Sequence, residues 1–249
     1  MRKSKRQELI LREIDLHNKV FSVELSEQLN VSDDTIRRDL HELAQEGKII
    51  KVHGGAISKS FVAPFNNENI VYAAEAKRTI AMKAIKLLRS NMVVITEGGT
   101  TMLELAKMIP SSLKLTIITI SPQVAITLAQ HENLNVIGVG GKLERNANLF
   151  IGASVVNLLA GLKADLCILG ANAFSAEEGL TDLDWEVVQV KKALIRSSKK
   201  VAVISISEKL NTVKWLNICS AGQVDWLITE LDPSDPLLQP YTDKGIAVL

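Results

Sequence analysis

No stretch of this chain comes near the roughly 20 apolar residues that a helix needs to cross a bilayer. Yet 47% of its 249 residues are hydrophobic and its mean hydropathy is +0.15. The apolar surplus is therefore expected inside the protein, in a sheet buried on both faces and in subunit contacts. No secretory leader is expected either, because MRKSKRQEL carries charge and no apolar segment follows it. Cysteine is scarce. Cys167 and Cys219 stand far apart with no metal-ligand spacing, and Cys167 lies within the apolar run DLCILGA. That pattern reads as buried, inert thiols in a reducing cytoplasm. No internal repeat or low-complexity tract is present. Net charge is nearly absent too: 29 Lys and Arg against 28 Asp and Glu leave +1, which argues neither for nor against a polyanionic partner. The distribution says more. Arg2, Lys3, Lys5 and Arg6 crowd the start, Arg37 and Arg38 are adjacent, and Lys48 and Lys51 follow, so a nucleic-acid footprint would be a local face.

What is present falls into two styles. Residues 1 to about 56 read as short helices: Ser4 to Gln7 has capping-box spacing ahead of the apolar Leu9, Ile10 and Ile14. A second short helix is expected at about 22 to 30, ending at Asn30, and a third begins with Ser32 as N-cap and Asp33 and Asp34 in its first turn. Ile36, Leu40 and Leu43 give that helix an inner face, which leaves Thr35, Arg37, Arg38 and His41 outward or flanking. Gly47 stops it, and KIIKVHGG suggests a two-stranded flap closed by Gly54 and Gly55. Residues 58 to 72 lack a period and read as a linker. From 73 to 249, helical stretches alternate with the β-branched runs MVVIT, LTIITI, LNVIGV, DLCILGA, KVAVISI and DWLIT. Such alternation predicts an α/β domain built on a parallel sheet with crossover helices.

Three short helices and a β flap outline a winged helix-turn-helix, whose third helix would enter the major groove of DNA. Residues 24 to 56, ELSEQLNVSDDTIRRDLHELAQEGKIIKVHGGA, resemble the N-terminal domain of the DeoR family of bacterial transcription regulators. The VSxxTIRRDLxxL core is carried by Val31, Ser32, Thr35, Ile36, Arg37, Arg38, Asp39, Leu40 and Leu43, and the HGGA signature by His53 to Ala56. The resemblance implies a DNA-contacting set of Ser32, Thr35, Arg37, Arg38 and His41 on the helix, with Lys51 and His53 on the wing. For Arg38, an ion pair with Asp34 or Glu42 on its own helix competes with that role.

Several loops at predicted strand ends are small or polar, notably Glu97 to Thr101, Gly140-Gly141, Gly170 to Asn172 and Ser207 to Lys209. Ligand sites of open α/β sheets collect at such ends, and a glycine loop entering a helix can seat a phosphate. Residues about 73 to 230 resemble the sensor domain of the same family, which is similar in fold to ribose-5-phosphate isomerase and typically binds a phosphorylated sugar or related intermediate. By that resemblance the effector site comprises Glu97, Gly98, Gly99, Thr100, Thr101, Ser121, Gly141, Lys191 and Lys209. Departures from the family pattern are Glu97 for an aspartate, Ile120 for an asparagine, Glu144 near an expected arginine, and Ile206 for an aspartate. Polar-to-apolar changes point to a ligand with fewer hydroxyls, an altered pose or a weakened site.

The implied protein is a cytoplasmic repressor of a carbohydrate-metabolism operon, not an enzyme. It would need neither cofactor nor metal nor membrane, and would act as a homodimer or homotetramer on operator DNA under a phosphorylated effector. Two alternatives stay open: a sugar-phosphate isomerase or deaminase with a DNA-binding appendage, using Glu97, Glu208 or Asp184 as base, and a regulator whose effector site has degenerated.

Overall fold

A computed structural model describes residues 1–17, 19–58, 71–145 and 147–249. The chain forms two compact units, Met1–Tyr72 and Ala73–Leu249.

In the first unit, helices α1 (Lys3–His17), α2 (Ser22–Leu29) and α3 (Asp33–Gln45) are joined by strands β1 (Lys19–Phe21), β2 (Ile49–Val52) and β3 (Gly55–Ser58). Its core is built from Ile10, Ile14, Val20, Leu25, Ile36, Leu40, Leu43 and Ile49. The inner face expected for α3 is therefore the buried one. The turn between α2 and α3 has a definite cause. Asn30 takes the left-handed conformation at φ 50°, and Val31 N–H reaches back to the Ser26 carbonyl at 3.1 Å. Ser32 then caps α3 through its hydroxyl, which accepts from Thr35 N–H at 3.3 Å. Gly47, at φ 71°, closes the other end.

Two expectations fail here. Helix α1 already begins at Lys3, so Ser4 lies inside it and is not its cap. The flap has three strands in the order β1-β3-β2, because Lys19–Phe21 pairs antiparallel with β3. Three residues are too few to show a period of two, so that strand had no sequence signal. Strand β3 extends to Ser58, the first residue expected in the linker; 59–70, most of that stretch, lie outside the described residues.

The second unit is organised by a seven-stranded sheet in the order β15-β14-β12-β9-β4-β5-β6. Its strands are β4 (Val93–Thr96), β5 (Leu115–Thr119), β6 (Leu134–Gly138), β9 (Leu166–Gly170), β12 (Val201–Ile204), β14 (Trp226–Ile228) and β15 (Ala247–Val248), and every neighbouring pair is parallel. Helices α4 (Ala74–Ile85), α5 (Thr100–Met108), α6 (Pro122–Leu128), α7 (Ala153–Ala160) and α8 (Trp185–Arg196) lie between strands in the sequence. All four residues of β12 are buried, whereas edge strand β6 leaves Asn135, Ile137 and Gly138 exposed. Central parallel strands read as unbroken apolar runs for this reason. The chain also forms a hairpin, β7 (Lys142–Glu144) with β8 (Leu149–Ile151). A small antiparallel sheet joins β10 (Ala173–Ser175), β11 (Gly179–Asp182) and β13 (Leu216–Cys219). These short strands were not anticipated, and two of them position the site described next.

Candidate functional site

The exposed ridge of α3 is made by the residues expected to meet DNA. Arg37 and Arg38 have side chains 65% and 76% exposed. Each is paired one turn back: Arg37 Nε lies 2.8 Å from Asp33 Oδ2, and Arg38 Nη2 lies 2.5 Å from Asp34 Oδ2. The intrahelical pair weighed for Arg38 is thus present, with Asp34 as partner and not Glu42. Such exposed i,i+4 pairs stabilise by only about 0.3–0.5 kcal/mol. A guanine edge or phosphate can displace them. Thr35 Oγ1 and Ser32 Oγ are 2.8 Å apart, so the cap and its neighbour share a hydrogen bond. His41 is exposed and in hydrogen-bond contact with Gln45. Lys51 on β2 and His53 in the following turn are exposed as well.

The basic residues of the N-terminus have a different use. Lys3 Nζ lies 2.6 Å from Glu42 Oε2, and Arg6 grips Asp39 at 2.5 Å and 3.2 Å through Nε and Nη2. The Asp39 side chain is only 2% exposed. Arg6 and Lys3 therefore fasten α1 to the inner flank of α3, and the hydrogen bond to Asp39 raises the Arg6 pKa. The sequence reading counted these cations toward a nucleic-acid face; Asp39, the buried partner of Arg6, and Glu42, the partner of Lys3, carried no pattern that would have revealed the pairings.

The second site lies where the sheet changes direction. From β4 the chain steps outward through β5 to β6, then returns to the other side of β4 to build β9, β12 and β14. At such a switch point the loops leaving adjacent strands diverge and open a crevice at the carboxyl ends. Residues 97–99 leave β4 there and enter α5, with Gly99 at the N-cap in a conformation, φ 94° and ψ 164°, that favours glycine. Gly98 needs to be glycine for another reason: a Cβ there would lie 2.8 Å from Leu149 Cδ2 and 3.0 Å from the Ser121 side chain. Thr100 and Thr101, half-buried, occupy the first turn of α5, whose leading N–H groups have no partner within the helix. Ser121 caps α6, and its own N–H donates to Thr119 Oγ1 at 3.2 Å.

Beneath the loop runs a buried ionic chain. Glu97 Oε1 accepts from Gly170 N–H at the end of β9, and Glu97 Oε2 lies 3.3 Å from Lys191 Nζ. Lys191 also reaches Asp182 Oδ2 at 3.0 Å and the Gly170 carbonyl at 3.3 Å. Asp182 accepts further bonds from the Asn172 amide and Leu183 N–H. Burial pushes the Glu97 pKa up, against the pull of Lys191. Burial opposes charge on Lys191 too, but Glu97 and Asp182 outweigh it and raise the ammonium's pKa. Asp182 ends below its usual range, since Lys191 and its hydrogen bonds overcome its own burial. Lys209, in the turn after β12, donates to the Ala171 carbonyl at 3.1 Å. Burial, with Lys77 and Lys191 nearby, lowers its pKa to about 7.

Glu97, Gly98, Gly99, Thr100, Thr101 and Ser121 thus gather around one loop, Lys191 is linked to them through Glu97, and Lys209 is electrostatically coupled to Lys191. Gly141 lies at the base of the β7–β8 hairpin and is exposed, and a Cβ there would lie 2.6 Å from Val155 Cγ2 of α7. Sequence reasoning missed Lys77 and Asp182. Lys77 is a buried lysine on the inner face of α4, and its helix showed only ordinary periodicity. Among the described residues no group of three or more His, Cys, Asp or Glu side chains is placed to hold a metal ion. No described helix is long and apolar enough to cross a membrane.

Residues 72–231 match the DeoR C terminal sensor domain, and residues 6–61 match the DeoR-like helix-turn-helix domain. The chain belongs to the DeoR family. It is 35% identical over 245 residues to the HTH-type transcriptional regulator GolR of Listeria innocua serovar 6a, covering 98% of this chain and 96% of that one. The HTH-type transcriptional regulator GlpR of Haloferax volcanii is 33% identical over 83% of this chain and 81% of its own. The Glycerol-3-phosphate regulon repressor of Escherichia coli is 29% identical over 99% and 98%. Among solved structures, ribose 5 phosphate isomerase A of Neisseria gonorrhoeae aligns at 16% identity over 58% of this chain and 56% of its own, with a TM-score of 0.43. That likeness is too distant to carry a statement about chemistry. Where the chain departs from the DeoR pattern, Ile120 and Ile206 are buried, and Glu144 accepts from Ala147 N–H inside the hairpin.

Proposed function

We propose that this DeoR-family chain is a sequence-specific DNA-binding transcription regulator, a repressor of a carbohydrate-metabolism operon, controlled by a phosphorylated sugar or related metabolite. The observation that carries the reading is the capped helix α3 presenting two exposed arginines, in a chain that matches the family in both of its units. Arg37 and Arg38 would contact guanine edges or phosphates, flanked by Ser32, Thr35 and His41, with Lys51 and His53 on the wing reaching the backbone. In the second unit, the Gly98–Gly99 loop and the first turn of α5 would seat the phosphate, with Lys209 adding positive charge. Lys191 and Glu97 would form the floor that fixes the loop. Gly141 and Ser121 complete the set, with Ser121 bounding the loop and Gly141 at the hairpin base. Pairing of two or more copies would present two α3 helices to half-sites about one helical turn apart, and effector binding would shift the balance between DNA-competent and incompetent arrangements.

The chain is read as a sensor and not as an enzyme because of the state of Glu97. A general base has to reach the proton it removes, yet both oxygens of Glu97 face protein groups and the residue is 4% exposed.

The test begins with selection of a preferred duplex from a random pool by the full-length protein, followed by mobility-shift titration. Glycerol 3-phosphate, ribose 5-phosphate and hexose phosphates are then added singly. One of them should release the DNA, and none should be turned over when followed by NMR. Arg38→Ala should weaken binding to the selected duplex by about 1–3 kcal/mol. Unchanged affinity would remove Arg38 from base reading, and turnover of a sugar phosphate would overturn the non-enzymatic assignment.

A further inference from the structure

The two arginines on α3 are not presented bare. Asp33 and Asp34 open the helix, and each holds the arginine one turn later at 2.8 Å and 2.5 Å. A helix-stabilising role accounts for only part of this arrangement. Negative charge in a first turn complements the helix dipole whether or not a cation stands above it. The capping position itself is filled by Ser32. Asp33 Oδ1 is buried with no hydrogen-bond partner, so this carboxylate is not spent on the orphan N–H groups of the helix start. Its other oxygen goes to Arg37.

The consequence for DNA is electrostatic. Two aspartates cancel two arginines, so the exposed ridge of α3 carries no net charge at its base-facing end. Phosphate contact is driven by the cations a protein brings and the counterions they release, and it is blind to sequence. A phosphate approaching Arg37 or Arg38 meets a carboxylate beside it. A guanine edge is neutral and offers O6 and N7 as acceptors. A guanidinium has five N–H donors, and the Arg37 pair engages Nε while the Arg38 pair engages Nη2. Donors remain for a base. The carboxylates therefore handicap the sequence-blind contact more than the sequence-reading one.

Resting on the DNA-regulator reading above, we propose that Asp33 and Asp34 are specificity-determining residues. By neutralising Arg37 and Arg38, they hold down binding to non-cognate DNA and leave base recognition to decide residence.

The test uses the full-length protein and its Asp33→Asn/Asp34→Asn variant. Fluorescence anisotropy gives affinity for the selected duplex and for a random duplex of equal length, from 50 to 200 mM salt. Each arginine released to a phosphate steepens the log–log salt slope by about 0.9. Two per protomer add about 1.8 for each protomer on the duplex, roughly a twelvefold effect per protomer between 200 and 50 mM. The variant is expected to bind random duplex more tightly at low salt with that steeper slope, while its preference for the selected duplex falls roughly tenfold. Asp33→Glu/Asp34→Glu, which keeps the charges, should retain the wild-type slope. A role confined to helix stability predicts the opposite sign, weaker binding to every duplex, and that result overturns the inference. So does a variant with unchanged random-duplex affinity and slope, provided the wild type is selective. A wild type that binds all duplexes alike overturns both this inference and the regulator reading.

Discussion

Lys191 is the cation on which the most buried charge depends, and its removal should be costly in a specific way. In Lys191→Met a side chain of similar length and no charge replaces the ammonium between Glu97 and Asp182. The three side chains are 6%, 5% and 9% exposed, so solvent cannot take over. Breaking a buried pair by deleting one partner typically costs 3–5 kcal/mol, because the surviving charge is left uncompensated. For a unit of this size each kcal/mol moves the melting temperature by roughly 2–4 °C, so the sensor unit should melt roughly 6–20 °C lower at neutral pH. The deficit should also depend on pH. Glu97 already has a raised pKa from burial, opposed by Lys191; without that lysine the rise is larger. Between the ordinary carboxyl value and the raised folded one, the folded state holds a proton that the unfolded state has lost. In that window stability falls as pH rises. Acidification from pH 8 toward pH 5 should therefore narrow the gap to wild type. Adding Glu97→Gln to the variant should restore part of the loss at pH 8, since one orphaned charge disappears while Asp182 keeps the Asn172 and Leu183 donors. The measurement is scanning calorimetry of the full chain at several pH values. A drop below about 2 °C, or a deficit that does not change with pH, would refute this account of the ionic chain.

Lys209, lowered to about 7 by burial beside Lys77 and Lys191, should bind inorganic phosphate less tightly as pH rises from 7 to 9. Calorimetric titration at pH 8 in buffers of different ionisation enthalpy should register proton uptake, which Lys209→Met abolishes; absence of uptake in the wild type excludes Lys209 from the anion site. The same shift makes this lysine's contribution to apo stability increase between pH 7 and its unfolded value near 10.4, because only the unfolded state still holds the proton. Gly98→Ala should cost about 1–3 kcal/mol through contacts with Leu149 and Ser121, and should weaken phosphate binding by displacing the loop. A wild-type phosphate affinity in that variant would mean that the loop is not the seat.

Much of the architecture could be read in one dimension because its signals are local. The apolar period of Ile36, Leu40 and Leu43 predicted which face of α3 is buried, and Ser32 announced its start. The apolar runs around Val94, Ile117, Ile168, Val203 and Leu227 are the interior of a parallel sheet, where both faces exclude water and residue type alone is diagnostic. The glycine and threonine loop after β4 was likewise legible, since it follows a strand and enters a helix. What misled was short or distant. Strands of three and four residues have no measurable period, so β1 and the β10-β11-β13 sheet went unseen. Lys3 and Arg6 looked like a basic surface because their partners stand on another helix.

The sequence by itself determined the order of the main helices and core strands, the position of the capped helix α3 and the glycine loop that enters α5, since each depends on neighbours within a few residues. Tertiary structure decided which charges are spent. Arg6 meets Asp39 across 33 residues, and Gly170 N–H meets Glu97 across 73. Side-chain charge is visible in a sequence, but its partner and its dielectric surroundings come into being only when the chain folds. That is why Arg37 and Arg38 remain at the surface while Glu97, Asp182 and Lys191 are sealed beneath the loop.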